Sequence, residues 1–192
     1  MSKADLRKLH LRLRSQMSPQ DIESGSEAIC LKVLEFLLAK PEIMHIHLFL
    51  PIVNRNEVNT FPLYKKLQYL GRKLYTSYLS NEILKTVFLP TDVELIEDKW
   101  GIPVPKEPIF SNSDEIQLVL VPLLVFDQFG HRIGYGKGYY DGFLSGLSKN
   151  VLKIGLCFFP PVESVSPEAH DIPLDACITP GSSYNFSPGL VL

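Results

Sequence analysis

Residues 130–141 read Gly130-His131-Arg132-Ile133-Gly134-Tyr135-Gly136-Lys137-Gly138-Tyr139-Tyr140-Asp141, which places four glycines, two cations, three tyrosines and a carboxylate in twelve positions. Glycine leaves backbone N–H groups uncovered and permits positive φ, so a loop of this kind can close around an anion. Arg132 and Lys137 add charge of the right sign, and Asp141 could hold a metal beside that anion. An apolar run precedes the loop and a helical pattern follows it, the arrangement that seats a phosphate at a helix N-terminus. The chemistry indicated is the handling of a nucleotide or a phosphorylated substrate.

Two common phosphate fingerprints are excluded. A Walker A loop requires Ser or Thr after Gly-Lys, and Gly136-Lys137 is followed by Gly138. The dinucleotide motif requires a third glycine where Tyr139 stands. A purely structural turn, with its tyrosines filling core space, has no need of Arg132, Lys137 and Asp141 together. His45 and His47 lie two apart on one strand face without a third ligand nearby, and read as structural or peripheral. Trp100 reads as a packing anchor for a proline-rich loop. No residue stands out as a strong nucleophile.

The elements that must hold this loop alternate between helical and extended patterns. Residues 2–16 form a basic helix, with Leu6, Leu9 and Leu13 on an apolar face and Lys3, Arg7 and Arg14 on another. Ser18 followed by Pro19 marks the start of a second helix that stops before Pro41. Residues 43–50 are expected to be a buried strand. Thr60 caps a helix running to Leu70, closed by Gly71. Strand patterns follow at 73–79 and 84–89. The stretch 100–108 has too many prolines for regular structure and is expected to be a crossing loop. Residues 116–121, Ile-Gln-Leu-Val-Leu-Val, read as a central strand apolar on both faces, as a parallel sheet requires. A short helix follows the glycine loop, 151–158 and 175–179 are further strands, and 180–192 is loop-like. Such alternation indicates an α/β layered domain without an internal boundary, one unit over residues 1–192.

A hydrophobic fraction of 45% and a charged fraction of 21% argue against global disorder. With a net charge of −2, nucleic acid or an anionic membrane is not the expected partner, so any positive site is local. The charged N-terminal residues do not read as a signal peptide, and no apolar run reaches the length of a membrane span. Cys30, Cys157 and Cys177 are too widely spaced for a zinc knuckle or a disulfide framework, and read as reduced thiols of a cytoplasmic protein.

The segment from Val121 through Pro122, Phe126-Asp127, Gly130, Arg132 and Gly134-Tyr135-Gly136-Lys137-Gly138-Tyr139-Tyr140-Asp141 resembles the signature of the 5-formyltetrahydrofolate cyclo-ligase family. Lys3-Ala4-Asp5-Leu6-Arg7 is similar to that family's basic N-terminal helix, and Glu57-Val58-Asn59-Thr60 to its E-x-x-T element. Trp100-Gly101-Ile102 with Pro105, and His170-Asp171-Ile172-Pro173-Leu174-Asp175, are similar to two further elements. The sequence departs from the pattern at Leu123, where glycine is usual, at Ile133, and at 74–78, where Pro-Arg is absent.

The resemblance implies a three-layer α/β/α domain with a central, mostly parallel, Rossmann-like sheet. It also implies an ATP- and Mg²⁺-dependent closure of 5-formyltetrahydrofolate to 5,10-methenyltetrahydrofolate; a monomer is the expected state. By the same resemblance, Lys3, Arg7, Arg132, Ile133, Gly134, Tyr135, Gly136, Lys137, Gly138, Tyr139 and Tyr140 bind ATP, with Arg132 and Lys137 acting in catalysis. Leu50, Glu57, Tyr135, Gly136, Lys137, Gly138 and Tyr139 contact the folate, and Asp141 and Asp171 hold Mg²⁺. The alternative is a folate- or nucleotide-binding protein without turnover.

Overall fold

In the computed structural model, which describes residues 1–192, the first two helices begin where their capping chemistry lies. Helices α1 (Lys3–Ser15) and α2 (Pro19–Leu38) both open with a reciprocal capping box, Ser2 with Asp5 and Ser18 with Asp21. Strand β1 (His45–His47) is shorter than the predicted 43–50, because the chain turns away after Leu48 donates to the Tyr75 carbonyl. Helix α3 (Phe61–Tyr69) is followed by Gly71 at φ +72°, the left-handed turn expected there. Strands β2 (Lys73–Ser80) and β3 (Ile83–Leu89) form a hairpin whose turn residues Asn81 and Glu82 both have positive φ.

Two expectations are corrected. The proline-rich stretch is not all loop: β4 (Leu95–Glu97) pairs antiparallel with β5 (Pro103–Pro105). Only alternate positions of β5 lack an N–H, which a two-stranded ribbon tolerates. Downstream come β6 (Ile109–Phe110), β7 (Leu118–Pro122), β8 (Val125–Phe126), β9 (Arg132–Ile133), α4 (Tyr139–Ser145), β10 (Leu152–Leu156) and β11 (Ala176–Ile178). The tail then adds β12 (Ser183–Asn185) antiparallel to β11, where a loop was expected. A turn closed by Thr179, whose N–H and hydroxyl both donate to the Ser182 carbonyl, folds the polar tail back onto the sheet edge.

The main sheet has the order β12-β11-β10-β7-β1-β2-β3-β6, parallel from β11 to β2 and antiparallel at both flanks. Alternate residues of β7 serve opposite faces. Leu118 and Leu120 pack under α2 and α3, while Val119 and Val121 join Phe143 and Leu144 of α4. The result is a three-layer α/β domain, and no helix is long and apolar enough to cross a membrane. From β1 the chain moves outward to β2, and it returns to β7 on the other side of β1. The boundary between β1 and β7 is therefore the switch point, where two departing loops leave a crevice.

The loop leaving β7 is anchored by one carboxylate. Asp127 is fully buried and accepts from Phe129 N–H at 2.9 Å, His131 N–H at 3.0 Å, Val165 N–H at 2.8 Å and the His131 ring through Nδ1 at 2.9 Å. Burial pushes its pKa up, but the four donors outweigh that and hold it below the ordinary value. A carboxyl depressed in this way adds stability above the unfolded-chain value and loses it as pH falls through the folded one. Stability should therefore decline as pH drops below about 4. Asp127→Asn should cost about 3 kcal/mol at neutral pH, because an amide NH₂ faces donors, and should flatten that acid limb. Urea melts at several pH values check this; a variant with the wild-type midpoint and acid slope would contradict the anchoring role.

Candidate functional site at the strand switch point

Both loops at the switch point bring polar side chains back over the sheet. After β1, a single 3-10 turn at Val53–Arg55 and Asn56 at φ +51° reverse the chain. Glu57 is thereby buried, and its Oε2 accepts from Ile52 N–H at 2.8 Å. Thr60 stands at the start of α3, but its hydroxyl donates to the Phe49 carbonyl at 2.6 Å instead of capping the helix. After β7, the β8–β9 hairpin delivers Arg132, and Gly134 to Gly138 lead into α4.

Helix α1 lies against that hairpin with its basic face inward. The predicted apolar face is corrected here: Leu13 is exposed and Leu9 half-buried, while Leu6, His10 and Arg14 are buried. Lys3, Arg7 and Arg14, at offsets of four and seven residues, fall on one side of the helix. Acceptors on the loop draw them in. Arg7 Nε donates to the Gly134 carbonyl at 3.0 Å, and Lys3 Nζ meets Asp171 Oδ2 at 2.6 Å and Glu168 Oε1 at 3.0 Å. Burial lowers the Lys3 pKa, but the two carboxylates more than offset it and raise it overall. Gly136 has φ +82°, and a Cβ there would lie 2.9 Å from Arg7 Cζ, so both backbone shape and space call for glycine.

Tyr135 joins the two loops. Its hydroxyl donates to Glu57 Oε1 at 2.6 Å and accepts from the Arg14 guanidinium. Its ring lies beneath Arg55 Cζ at 4.8 Å and Arg14 Cζ at 5.4 Å, within cation–π range. Burial and the neighbouring Glu57 charge push its pKa well up, so it keeps its proton as a donor. Arg14 and Glu57 line a small cavity with Phe49, Leu124, Leu156 and Phe159 at the carboxyl ends of the central strands.

A second cluster joins the loop to the 168–172 segment. Arg132 pairs with Asp141 Oδ1 at 2.7 Å and also donates to the Ile172 carbonyl, whose own N–H donates to Asp141 at 3.1 Å. Asp141 and Asp171, thirty residues apart in sequence order, thus meet the same short segment. The donor set can be tested against magnesium. Asp141 Oδ1 and Asp171 Oδ2 are engaged, leaving one oxygen on each, and no three His, Cys, Asp or Glu side chains come together. Two part-engaged carboxylates fit a cation that keeps waters and phosphate oxygens as its other ligands, and Mg²⁺ is such a cation.

The remaining expected site residues fall in several places. Lys137 is exposed and forms no ion pair, while Gly138 is in the left-handed region at φ +68° ahead of α4. Tyr139 is half-buried at the first position of α4. Tyr140 turns inward toward Phe143 and His47, and Ile133 is buried beside Leu6. Leu50 lies in the core under α2 and α3, and its neighbour Phe49 lines the cavity. His47 is structural as expected: it is fully buried, and burial lowers its pKa to about 3. Trp100 is largely exposed at the tip of the β4–β5 ribbon, so it is no packing anchor. The sequence placed Arg14 on the helix face of Lys3 and Arg7 and Asp127 within the signature, but it gave neither residue a role.

A sequence model of the 5-formyltetrahydrofolate cyclo-ligase family matches residues 1–180. The 5-formyltetrahydrofolate cyclo-ligase of Mycoplasma genitalium is 30% identical over 184 residues, covering 94% of this chain and 99% of that relative. Among solved structures, the 5,10-methenyltetrahydrofolate synthetase of Aquifex aeolicus aligns with a TM-score of 0.84 at 27% identity, covering 100% of this chain and 96% of that one. The synthetase of Mycoplasma pneumoniae aligns with a TM-score of 0.74 at 25% identity, covering 94% and 99%.

The loop geometry makes a direct prediction. Gly136→Ala should destabilise the protein by about 1–2 kcal/mol through the left-handed backbone alone. It should also speed amide exchange at 134–138 as Arg7 is displaced. Unchanged exchange and melting temperature would show that the loop does not need glycine there.

Proposed function

The chain belongs to the 5-formyltetrahydrofolate cyclo-ligase family, and on that premise we propose that it closes 5-formyltetrahydrofolate to 5,10-methenyltetrahydrofolate, converting ATP to ADP and phosphate. The observation that carries this reading is the convergence of Lys3, Arg7, Arg132 and the glycine loop on one side of the switch point, with Glu57 and an apolar cavity on the other. A phosphoryl donor and a flat heterocycle would meet there.

The formyl oxygen is a poor leaving group until it is phosphorylated. In the proposed sequence that oxygen attacks the γ-phosphorus and ADP departs. N10 then bonds to the activated carbon and gives up its proton to solvent, and phosphate leaves with the former formyl oxygen. Phosphoryl transfer asks a protein for positioning and charge neutralisation, not for a nucleophile. Lys137, unpaired and exposed on the loop, is the cation free to follow the transferring group. Arg132, held between Asp141 and Ile172, fixes the loop and adds positive charge beside it. The uncovered backbone of Gly134, Gly136 and Gly138 would receive phosphate oxygens, with Lys3 and Arg7 behind them.

Glu57 would accept from pterin N–H groups, with Tyr135 and Tyr139 against the ring and Leu50 supporting the wall from the core. Asp141 and Asp171 would hold Mg²⁺, which when bound neutralises phosphate charge. A monomer working in the cytoplasm is the simplest setting for this chemistry.

The test is to mix the protein with ATP, Mg²⁺ and 5-formyltetrahydrofolate and to follow methenyl-folate absorbance; folded protein that forms no product rules the activity out. Lys137→Ala should lower kcat by about a hundredfold or more with the melting temperature unchanged, since an exposed cation and no core volume is removed. Unchanged kinetics would remove Lys137 from the mechanism.

A further inference from the structure

Arg55 is a cation that the proposed chemistry leaves unused, and its backbone is anchored while its side chain is not. It closes the 3-10 turn of the loop after β1, where its N–H donates to the Ile52 carbonyl at 3.0 Å. The turn is pinned on both sides. Ile52 N–H donates to Glu57 Oε2 at 2.8 Å, and Asn56, left-handed at φ +51°, donates through Nδ2 to the Arg14 carbonyl at 3.1 Å. Beyond this fixed turn the Arg55 guanidinium is exposed and forms neither an ion pair nor a hydrogen bond. It rests on the ring of Tyr135, with Cζ 4.8 Å from the centroid. A charge-assisted hydrogen bond to an anion is stronger than an exposed cation–π contact, so an anion arriving beside Tyr135 would draw the guanidinium to itself.

The position of that ring says which anion. Tyr135 stands between Gly134 and Gly136 in the phosphate loop, and its hydroxyl donates to Glu57 on the opposite loop at 2.6 Å. Arg55 therefore crosses from the folate-side loop onto the phosphate loop at the place where the two are joined. Lys3 and Arg7 come from α1, and Arg132 and Lys137 from the 130–141 segment; Arg55 is the one Lys or Arg between 48 and 60. The formyl oxygen and the γ-phosphorus have to meet at this junction, since one reactant lies on each side of it. We propose that Arg55 is a further catalytic residue, an arginine supplied from the folate-side loop that donates to an oxygen of the γ-phosphoryl group as it passes to the formyl oxygen. This rests on the reaction given above and adds a cation on the acceptor side of the transfer. In that step the bond from formyl oxygen to phosphorus forms, the bond from phosphorus to ADP breaks with its electron pair leaving on ADP, and Arg55 keeps its protons. Charge in the transition state is spread over the phosphoryl oxygens, and a cation aimed at them counts most there.

Steady-state kinetics of the full-length protein with ATP, Mg²⁺ and 5-formyltetrahydrofolate test this. Arg55→Gln should lower kcat by about a hundredfold, with KM for each substrate within about threefold of wild type. Its melting temperature should not move, because the side chain is exposed and carries no ion pair. Arg55→Lys, which keeps the charge, should recover about tenfold of the lost kcat. Wild-type kcat in Arg55→Gln overturns the proposal, and so does a loss confined to the KM of either substrate, which would make Arg55 a binding residue. An Arg55→Lys protein no faster than Arg55→Gln overturns it as well. Wild-type protein that forms no product rejects the folate reading itself, whereas wild-type turnover with an unaltered Arg55→Gln rejects only the role of Arg55.

Discussion

The buried carboxylate of Asp127 is the constraint from which the site is assembled. Four donors converge on it from Phe129, His131 and Val165, so the turn between β8 and β9 has one shape, and the 165 region is held to it. That turn sets Arg132, Arg132 holds Asp141 and Ile172, and the neighbouring Asp171 receives Lys3 from α1. A carboxylate satisfied by backbone N–H groups in a dry interior is stiff, because each lost bond exposes an uncompensated charge. Stiffness there lets the glycines downstream be flexible in shape without being undefined in place.

The site's cations are positioned through acceptors that a bound anion would also use. Lys3 rests on Asp171 and Glu168, Arg7 on a carbonyl of the loop, and Arg132 on Asp141. Such pairing keeps α1 docked through charge and hydrogen bonding, with Leu6 as its one buried apolar side chain. It also explains why the helix turns its basic side inward and leaves Leu13 in solvent.

Much of the frame was legible in the chain. Ser18 followed by Pro19 announced the second helix, and the apolar Leu118–Val121 announced a strand covered on both faces. The 130–141 loop declared its chemistry because glycine and charge are rarely interleaved for packing alone. Short elements were less visible. The Pro103–Pro105 strand and the Ser183–Asn185 edge carry no periodicity of their own, since each exists through its partner strand. Trp100 misled, because residue type alone does not say which side of a ribbon faces the core.

By itself, then, the sequence determined the α/β frame, the anion loop and the family to which the chain belongs, since local caps, strand patterns and a long contiguous motif are all written along the chain. Only the tertiary structure decided which face of α1 is buried, that Asp141 and Asp171 meet at one segment, and that Arg14 and Glu57 face each other across the Tyr135 hydroxyl. Those relations join residues up to 168 positions apart, as Lys3 and Asp171 are. They depend on how β1 and β7 diverge at the switch point, and that divergence is a property of strand order in the folded sheet.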